Sequence, residues 1–323
     1  MFLSTIIPTI GRPTLSRAVH SVLNQKFDHD DFEIIVVNDS GRPLPAEPWQ
    51  APERVQIINT NKRERCVARN TGAAIATGRY LHFLDDDDWL LPDALNSFWM
   101  LSQEAEGAAW LYGSSQLVDR QGKNIIQLHH NLNGNCFIHA IAGEWIPLQA
   151  SCIRADTFFA VGGFHPLVLA TQDVDLCRRI LLHGDLAGTS NLVACVGMGL
   201  ENSVTDYTKA PLYSRWGREE ILNQPGTFTR MRQSASSGYW HGRIVRAYLT
   251  SAVWNLQYRQ VIKSASRLTW GLINLILSAQ YALSIKFWQA ILKNYESETF
   301  LRGFQEANRP VERRETPELL TDF

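Results

Sequence analysis

The sequence predicts an α/β fold in which a mostly parallel, Rossmann-like sheet is flanked by helices, with an added helical region after it. Two apolar runs, 2–7 and 32–37, have the length and composition of buried parallel strands. Between them, apolar residues recur at helical spacing from Leu15 to Leu23, and Thr14 is a candidate N-cap. These segments form a β-α-β unit, whose crossover we expect to be right-handed. A GxGxxG dinucleotide fingerprint is absent after the first strand.

Length and composition are those of a globular protein with a sizeable core. The 323 residues allow one large domain or two ordinary ones, with 45% hydrophobic and 20% charged residues. The five cysteines have no metal-ligand spacing and several lie in apolar runs, so we predict reduced core residues. The chain starts without the basic segment of a signal peptide and has no apolar run of about 18 residues. We therefore expect a cytoplasmic protein without a membrane span.

The charge changes sign along the chain. Residues 1–208 carry 15 Lys and Arg against 23 Asp and Glu, whereas residues 209–323 carry 16 against 9. Such a contrast indicates a change of domain. We predict an α/β domain over 1–208, a basic helical region over 209–307 and a loose tail over 308–323.

Helix-forming patterns rich in Trp and Tyr cover 244–262 and 268–292 of the basic region. Two interpretations stay open. Basic, aromatic amphipathic helices can lie on an anionic membrane surface, which here would be the inner membrane face. Alternatively, the helices form a cap packed on the first domain, with their charges in solvent.

Four consecutive carboxylates, Asp85 to Asp88, follow a predicted strand over 80–84. Close-spaced anions repel one another, so such a run is costly unless cations or water neutralise it. In open α/β sheets, ligands bind beyond the carboxyl ends of the strands, and carboxylates there suit a divalent cation that also holds phosphates. A helix predicted over 63–74 carries basic residues near its start, where cations disfavour a helix. Charge balance against phosphates or the acidic run explains them; solvated side chains are the alternative for both features.

Four segments then stand in a fixed order: Ser4–Thr9, Glu33–Ser40, Ala68–Gly72 and Phe83–Trp89. Together they resemble the family 2 glycosyltransferases of the GT-A fold, over roughly residues 1–200. The resemblance implies an inverting enzyme that moves a sugar from a nucleotide-diphosphate sugar to the hydroxyl of a glycan, a lipid-linked or another acceptor. It divides the first domain into a nucleotide-sugar half, about 1–105, and an acceptor half, about 106–208. No nucleic-acid partner is expected.

The resemblance also assigns roles to matching positions. Pro8 and Thr9 would line the nucleotide pocket, and Asp39 would accept a hydrogen bond from the base. Arg12 would lie beside that pocket and Arg65 would reach the diphosphate, although these two positions match the family pattern more loosely.

The acidic run matches the metal-binding DxD motif of the family. Asp87 would bind Mn²⁺ or Mg²⁺, with Asp85 as its support near the ribose or the metal. Four acids in a row leave the register open by one residue, so Asp86 and Asp88 remain candidates.

A second constellation follows Gly162-Gly163-Phe164 and resembles the acceptor-side segment of the family. Asp173 falls on the position of the catalytic base, and an inverting transfer needs such a base to take the acceptor proton. The sequence departs from the pattern at Gln172, where Glu is usual. Asp173 and Asp175 are about 200° apart round a helix, so we expect only one to face the cleft. Helix capping by Asp173 is the structural alternative.

Two other functions compete with the transferase. A sugar nucleotidyltransferase also needs acids, a metal and an α/β sheet, but its first loop is usually Gly-rich and contains Lys or Arg. The segment 8–13 contains only Gly11 and Arg12 as residues of that kind. The other alternative is a non-catalytic protein that binds a membrane surface or a nucleotide-sugar.

Overall fold

The computed structural model describes residues 1–27, 31–61, 64–119, 122–129, 131–197 and 209–293. The strands are β1 (Leu3–Thr9), β2 (Phe32–Asn38), β3 (Val55–Asn59), β4 (Tyr80–Phe83), β5 (Trp89–Leu90), β6 (Trp110–Val118), β7 (Asn124–Leu128), β8 (Ser151–Arg154) and β9 (Leu186–Gly197). The first six α-helices are α1 (Leu15–Leu23), α2 (Arg65–Ile75), α3 (Ala94–Glu104), α4 (Phe137–Ala142), α5 (Ala155–Ala160) and α6 (Gln172–His183). The others are α7 (Ala210–Leu222), α8 (Thr227–Ser234), α9 (Gly238–Gln257), α10 (Val261–Leu277) and α11 (Ile285–Leu292). The tail predicted over 308–323 lies outside the described residues.

All nine strands form one sheet in the order β3-β2-β1-β4-β8-β6-β9-β5, with β7 paired to β6. The strands β1 to β4 are parallel to one another, which confirms the predicted α/β fold. Beyond β4 the sheet is mixed, because β8 runs antiparallel to both β4 and β6. In this order β1 lies between β2 and β4, so the loops after these three strands meet at one edge of the sheet.

Both faces of the parallel strands are buried, and successive side chains alternate between two core clusters. On β1, Ile6 packs on one face with residues of α2, α4 and α6. Leu3 and Ile7 pack on the opposite face with residues of α1 and α3. This alternation follows the two-residue period of an extended strand. Because both faces are buried, the strand sequences are continuous apolar runs. The five cysteines are all buried and free, as predicted.

The helical region continues the core of the sheet. Ile221 of α7, Met231 of α8 and Ile244 of α9 belong to the same hydrophobic cluster as Ile6. Helices α10 and α11 pack mainly against α9. The carboxylate of Glu219 connects these layers, because its Oε2 atom accepts hydrogen bonds from α9 and lies 3.5 Å from Arg267 of α10. No helix among the described residues is long and apolar enough to cross a membrane.

Several predicted element boundaries are wrong. The helix predicted over 63–74 begins at Arg65, because Glu64 caps it by accepting hydrogen bonds from the backbone of Cys66 and Val67. The helix predicted over 244–262 ends at Gln257, and Arg259 adopts a left-handed conformation with φ of 59°. The second helix predicted in this region is divided in two by a 3-10 turn, Ala279–Tyr281.

Gly72 allows α2 to approach the sheet closely. A Cβ atom at this position would lie 2.5 Å from Cγ2 of Ile6 and 2.9 Å from Cγ2 of Val37, both fully buried. Gly72→Ala should therefore destabilise the protein by about 1–3 kcal/mol, as overpacking of cores does, despite the better helix propensity of Ala. Gly107→Ala is the control, since no atom lies within 4 Å of a Cβ there. Urea unfolding measures both; equal stability of the two variants would contradict the close packing.

Candidate active site

The acidic run forms a tight turn directly after β4, in which the Asp88 backbone N–H donates to the Asp85 carbonyl over 3.1 Å. The turn brings one carboxylate oxygen each of Asp85, Asp87 and Asp88 within 4.8 Å of one another. These three residues are called the carboxylate cluster below. Three carboxylate oxygens at this spacing are the hard ligands that Mg²⁺ and similar cations prefer.

Asp86 points away from the carboxylate cluster and holds the loop after β1. It accepts hydrogen bonds from Thr9 Oγ1 and Arg12 Nη1, each over 2.6 Å. The Gly11 backbone N–H donates in turn to Thr9 Oγ1 over 2.9 Å. Burial raises the pKa of Asp86, and the bonds from Thr9 and Arg12 only partly offset this. Thr9 and Arg12, two of the residues predicted at the nucleotide pocket, thus form one hydrogen-bond network with Asp86.

Asp85 is held between two elements that are distant in sequence. Arg69 of α2 donates to Asp85 Oδ1 over 2.5 Å, and Gln149 Nε2 donates to Asp85 Oδ2 over 3.1 Å. Burial acts to raise the pKa of Asp85, but the charge and hydrogen bond of Arg69 outweigh it, with smaller contributions from Arg65 and Arg12. The net shift of the pKa is downward, so Asp85 stays ionised.

Asp87 and Asp88 are compensated less fully, although Arg12 Nη1 also lies 3.5 Å from Asp87 Oδ2. Burial and the negative charge of Asp85 raise the pKa of Asp87 to about 6. Burial and the charges of Asp87 and Asp85 raise the pKa of Asp88 well above its usual range, although the Gly197 N–H donates to it over 2.7 Å. A cation placed among these carboxylates would stabilise their ionised forms and lower their pKa values.

Asp39 begins the loop after β2, next to the loop after β1. Its backbone N–H donates to the Thr9 carbonyl over 2.8 Å. Its side chain accepts hydrogen bonds from Thr60 Oγ1 and the Glu64 backbone, each over 2.7 Å. Pro8 is partly exposed at the end of β1, and Arg65 is partly exposed at the start of α2. These residues line the edge of the sheet that also carries the carboxylate cluster.

Asp173 lies in the first turn of α6, after Thr171 in a left-handed conformation. Its carboxylate accepts hydrogen bonds from the Trp145 indole and, over 2.9 Å, from the Val174 backbone. Asp175 is buried and forms an ion pair with Arg179 at 2.7 Å. Asp173 is therefore the one of the two that is partly exposed, which agrees with the angular argument from the sequence.

One short segment connects Asp173 to the carboxylate cluster. Trp145 contacts Asp173, and Gln149 four residues later contacts Asp85. A second connection comes from α2, where the Asn70 amide bonds both backbone groups of Phe164 in the predicted Gly-Gly-Phe turn. Sequence reasoning missed Trp145, Gln149 and Arg69 as site residues. The long sequence separations of these contacts, 28, 64 and 16 residues, give no local pattern that would have shown them.

Residues 4–139 match the model of the family described as glycosyl transferase family 2. The Staphylococcus aureus poly(ribitol-phosphate) beta-N-acetylglucosaminyltransferase TarP is 33% identical over 107 residues, which are 31% of this chain and 33% of that protein. A Campylobacter jejuni GalNAc(5)-diNAcBac-PP-undecaprenol beta-1,3-glucosyltransferase is 32% identical over 127 residues, 37% of this chain and 40% of that protein. The matched region thus spans less than half of each of these relatives.

The fold is similar to the crystal structure of S. aureus TarS 1-349 in complex with UDP-GlcNAc. The TM-score is 0.59 at 13% identity, over 83% of this chain and 91% of that one. The matched region agrees with the order of motifs in the sequence and with the carboxylate cluster after β4. The segment 4–139 is therefore similar to glycosyl transferase family 2, and the chain has an α/β fold of the GT-A type.

Proposed function

We propose that the protein is an inverting, divalent-metal-dependent glycosyltransferase that uses a nucleotide-diphosphate sugar. The observation that carries this proposal is the connection between the carboxylate cluster and Asp173 through Trp145 and Gln149. A cation site for a diphosphate and a base for an acceptor hydroxyl are the two parts that a single displacement needs. The TarS complex with UDP-GlcNAc makes a UDP-sugar the first donor to test.

The carboxylate cluster fits Mn²⁺ or Mg²⁺. Asp87 would be the direct ligand, supported by Asp85 and Asp88, whose oxygens lie within 4.8 Å of one another. Such a cation, when bound, neutralises charge on the departing diphosphate. On the protein side, Arg69 keeps Asp85 ionised and oriented, and Arg12 holds Asp86 out of the cluster.

The nucleotide would lie along the loops after β1 and β2. Pro8 and Thr9 would line its pocket, Asp39 would accept a hydrogen bond from the base, and Arg12 and Arg65 would face the phosphates. The network from Asp86 through Thr9 to the Gly11 N–H supports this placement, because it fixes the shape of the first loop.

Asp173 would take the proton of the acceptor hydroxyl as that hydroxyl attacks the anomeric carbon. The Trp145 indole donates to one carboxylate oxygen and fixes the side-chain orientation, and the backbone of Val174 holds the other. These two hydrogen bonds hold the Asp173 carboxylate in a fixed orientation in the first turn of α6.

Removal of the Asp87 charge should weaken metal binding. Asp87→Asn should lower the affinity for Mn²⁺ by about tenfold or more, since even changes in residues that only orient metal ligands cost 10–100-fold. Titration of free Mn²⁺ followed by electron paramagnetic resonance measures this. Asp93→Asn is the matched control, because Asp93 is exposed, nearby and in a left-handed conformation that Asn tolerates. Unchanged Mn²⁺ affinity in Asp87→Asn would remove Asp87 from the ligand set.

Replacement of the proposed base should strongly reduce sugar transfer and leave donor binding nearly unchanged. In Asp173→Asn the affinity for UDP should stay within about twofold, while the turnover of a UDP-sugar should fall by about 10²–10⁴-fold, the usual contribution of a general base. Calorimetry and UDP release measure the two quantities. The control Asp156→Asn alters an exposed Asp in the first turn of α5 and should leave both unchanged. Wild-type turnover in Asp173→Asn would reject this base, and pyrophosphate release from a nucleoside triphosphate would favour the nucleotidyltransferase.

We further propose that α10 and α11 contact an anionic membrane surface. Fourteen large apolar side chains between Val253 and Leu292 are exposed. Arg259, Lys263 and Lys286 are exposed among them, and Glu219 and Glu220 are the only acids between 209 and 293. Apolar and basic residues together are typical of helices that lie in the interface of anionic lipids.

Flotation with vesicles tests this contact. The protein should float with vesicles that contain phosphatidylglycerol and remain behind with pure phosphatidylcholine. Ile262→Glu combined with Leu272→Glu should abolish flotation, because both exposed side chains belong to this face. Absence of flotation together with a stable dimer in solution would show that a second copy covers the face instead.

A further inference from the structure

Four arginine side chains surround one cavity of about 160 Å³ in the helical region. Arg215 and Arg218 are three residues apart on α7, and Arg243 and Arg246 are three residues apart on α9, so each pair lies on one helix face. The other walls come from α4 and α9: Ile141, Ala142, Ala247 and Thr250. At about 30 Å³ per water, the cavity has room for roughly five water molecules or one anion of similar size.

Three of the four arginines have partners that explain their positions. The Arg215 guanidinium lies over the Trp254 ring, 5.0 Å from its centroid. Arg243 donates to the Lys293 carbonyl over 3.1 Å and Arg246 to the Ile291 carbonyl over 2.8 Å. These carbonyls lie at the end of α11, where the helix dipole favours cations.

The position of the Arg218 side chain is not explained by a partner of this kind. Its Nε atom is buried and has no hydrogen-bond partner among the described residues. The carboxylate of the adjacent Glu219 does not pair with Arg218. It accepts hydrogen bonds from Ser251 and Asn255 of α9 and lies 3.5 Å from Arg267 of α10. Burial, together with the charges of Arg178 and Arg215, lowers the pKa of Arg218 to about 9, and Glu219 offsets this only in part. Arg218 is partly buried, and a cation held there without a compensating carboxylate costs stability.

We infer that the cavity is an anion site for a phosphate or diphosphate group, with Arg218 and Arg215 as the direct donors. Arg243 and Arg246 add positive charge from the opposite wall. Guanidinium groups bind phosphate oxygens in pairs, and a phosphate dianion offers more oxygens and more charge than a carboxylate does. The surrounding composition agrees, because residues 209–293 contain twelve Lys and Arg but only two acids.

The site adjoins the elements that carry the proposed base and is separate from the carboxylate cluster. Helix α4 leads from the cavity into the segment that contains Trp145, which contacts Asp173. Helix α6, which begins beside Asp173, is joined to α7 by Arg178, whose Nη1 donates to the Ser214 carbonyl over 2.6 Å. A phosphate held here would be either a soluble anion or a phosphate carried by a lipid headgroup.

Isothermal titration of the full-length protein with sodium pyrophosphate in EDTA tests the inference, because EDTA prevents metal-assisted binding at the carboxylate cluster. The wild type should bind pyrophosphate saturably, and Arg215→Gln combined with Arg218→Gln should weaken binding by about tenfold or more. The matched control is Arg54→Gln combined with Arg79→Gln, which removes two arginines that lie over aromatic rings elsewhere. This control should bind like the wild type.

Further measurements identify the source of the bound phosphate and show whether the double variant is folded. If pyrophosphate does not bind but phosphatidic acid vesicles do, and only with Arg215 and Arg218 intact, the phosphate belongs to a lipid. Without any anion, the double variant should melt at or above the wild-type temperature, since the substitutions remove partly buried positive charge that no carboxylate in the cavity compensates. Equal binding of both probes by wild type and double variant, or no saturable binding of either probe, would overturn the inference. Asp87→Asn should leave pyrophosphate binding in EDTA unchanged, so this test succeeds or fails independently of the proposed transferase.

Discussion

The crowding of four adjacent carboxylates at the end of β4, of which Asp86 and Asp88 are buried and Asp85 and Asp87 partly exposed, is the constraint on which the surrounding structure depends. Two arginines face these four carboxylates: Arg69 pairs with Asp85, and Arg12 pairs with Asp86 and lies 3.5 Å from Asp87. Asp87 and Asp88 are left with raised pKa values, because burial and their neighbours disfavour ionisation. The protein alone therefore leaves a local deficit of positive charge, which a divalent cation and the groups that it binds would remove.

The fold supplies these partners from well-separated parts of the chain. The strand order places the loop after β1 beside the end of β4, which brings Arg12 and Thr9 to Asp86. Close packing of α2 on the sheet at Gly72 brings Arg69 to Asp85. The segment before β8 carries Gln149 to the same carboxylate and Trp145 to Asp173. A single packed core then extends from this sheet into α7, α8 and α9.

Much of the first half of the fold could be predicted from local patterns. The strands β1 and β2 follow from continuous apolar runs, and the helix from Leu15 follows from apolar residues at helical spacing. The direction of the Asp86 side chain could not be predicted. Successive side chains of a tight turn point in different directions, and the direction of Asp86 depends on its tertiary partners Thr9 and Arg12. The end of α9 could not be predicted either. Arg259 is neither Gly nor Pro, so its left-handed conformation after the helix has no signal in the sequence.

The most direct test of the account is the melting temperature of the protein with UDP, measured with and without Mn²⁺. A ligand that binds only the folded state raises the melting temperature by mass action. If the carboxylate cluster holds a cation that binds the diphosphate, UDP should raise the melting temperature strongly with Mn²⁺ and little or not at all in EDTA. No UDP-dependent rise under either condition, or the same rise under both, would contradict a metal-dependent nucleotide-sugar site at Asp85, Asp87 and Asp88.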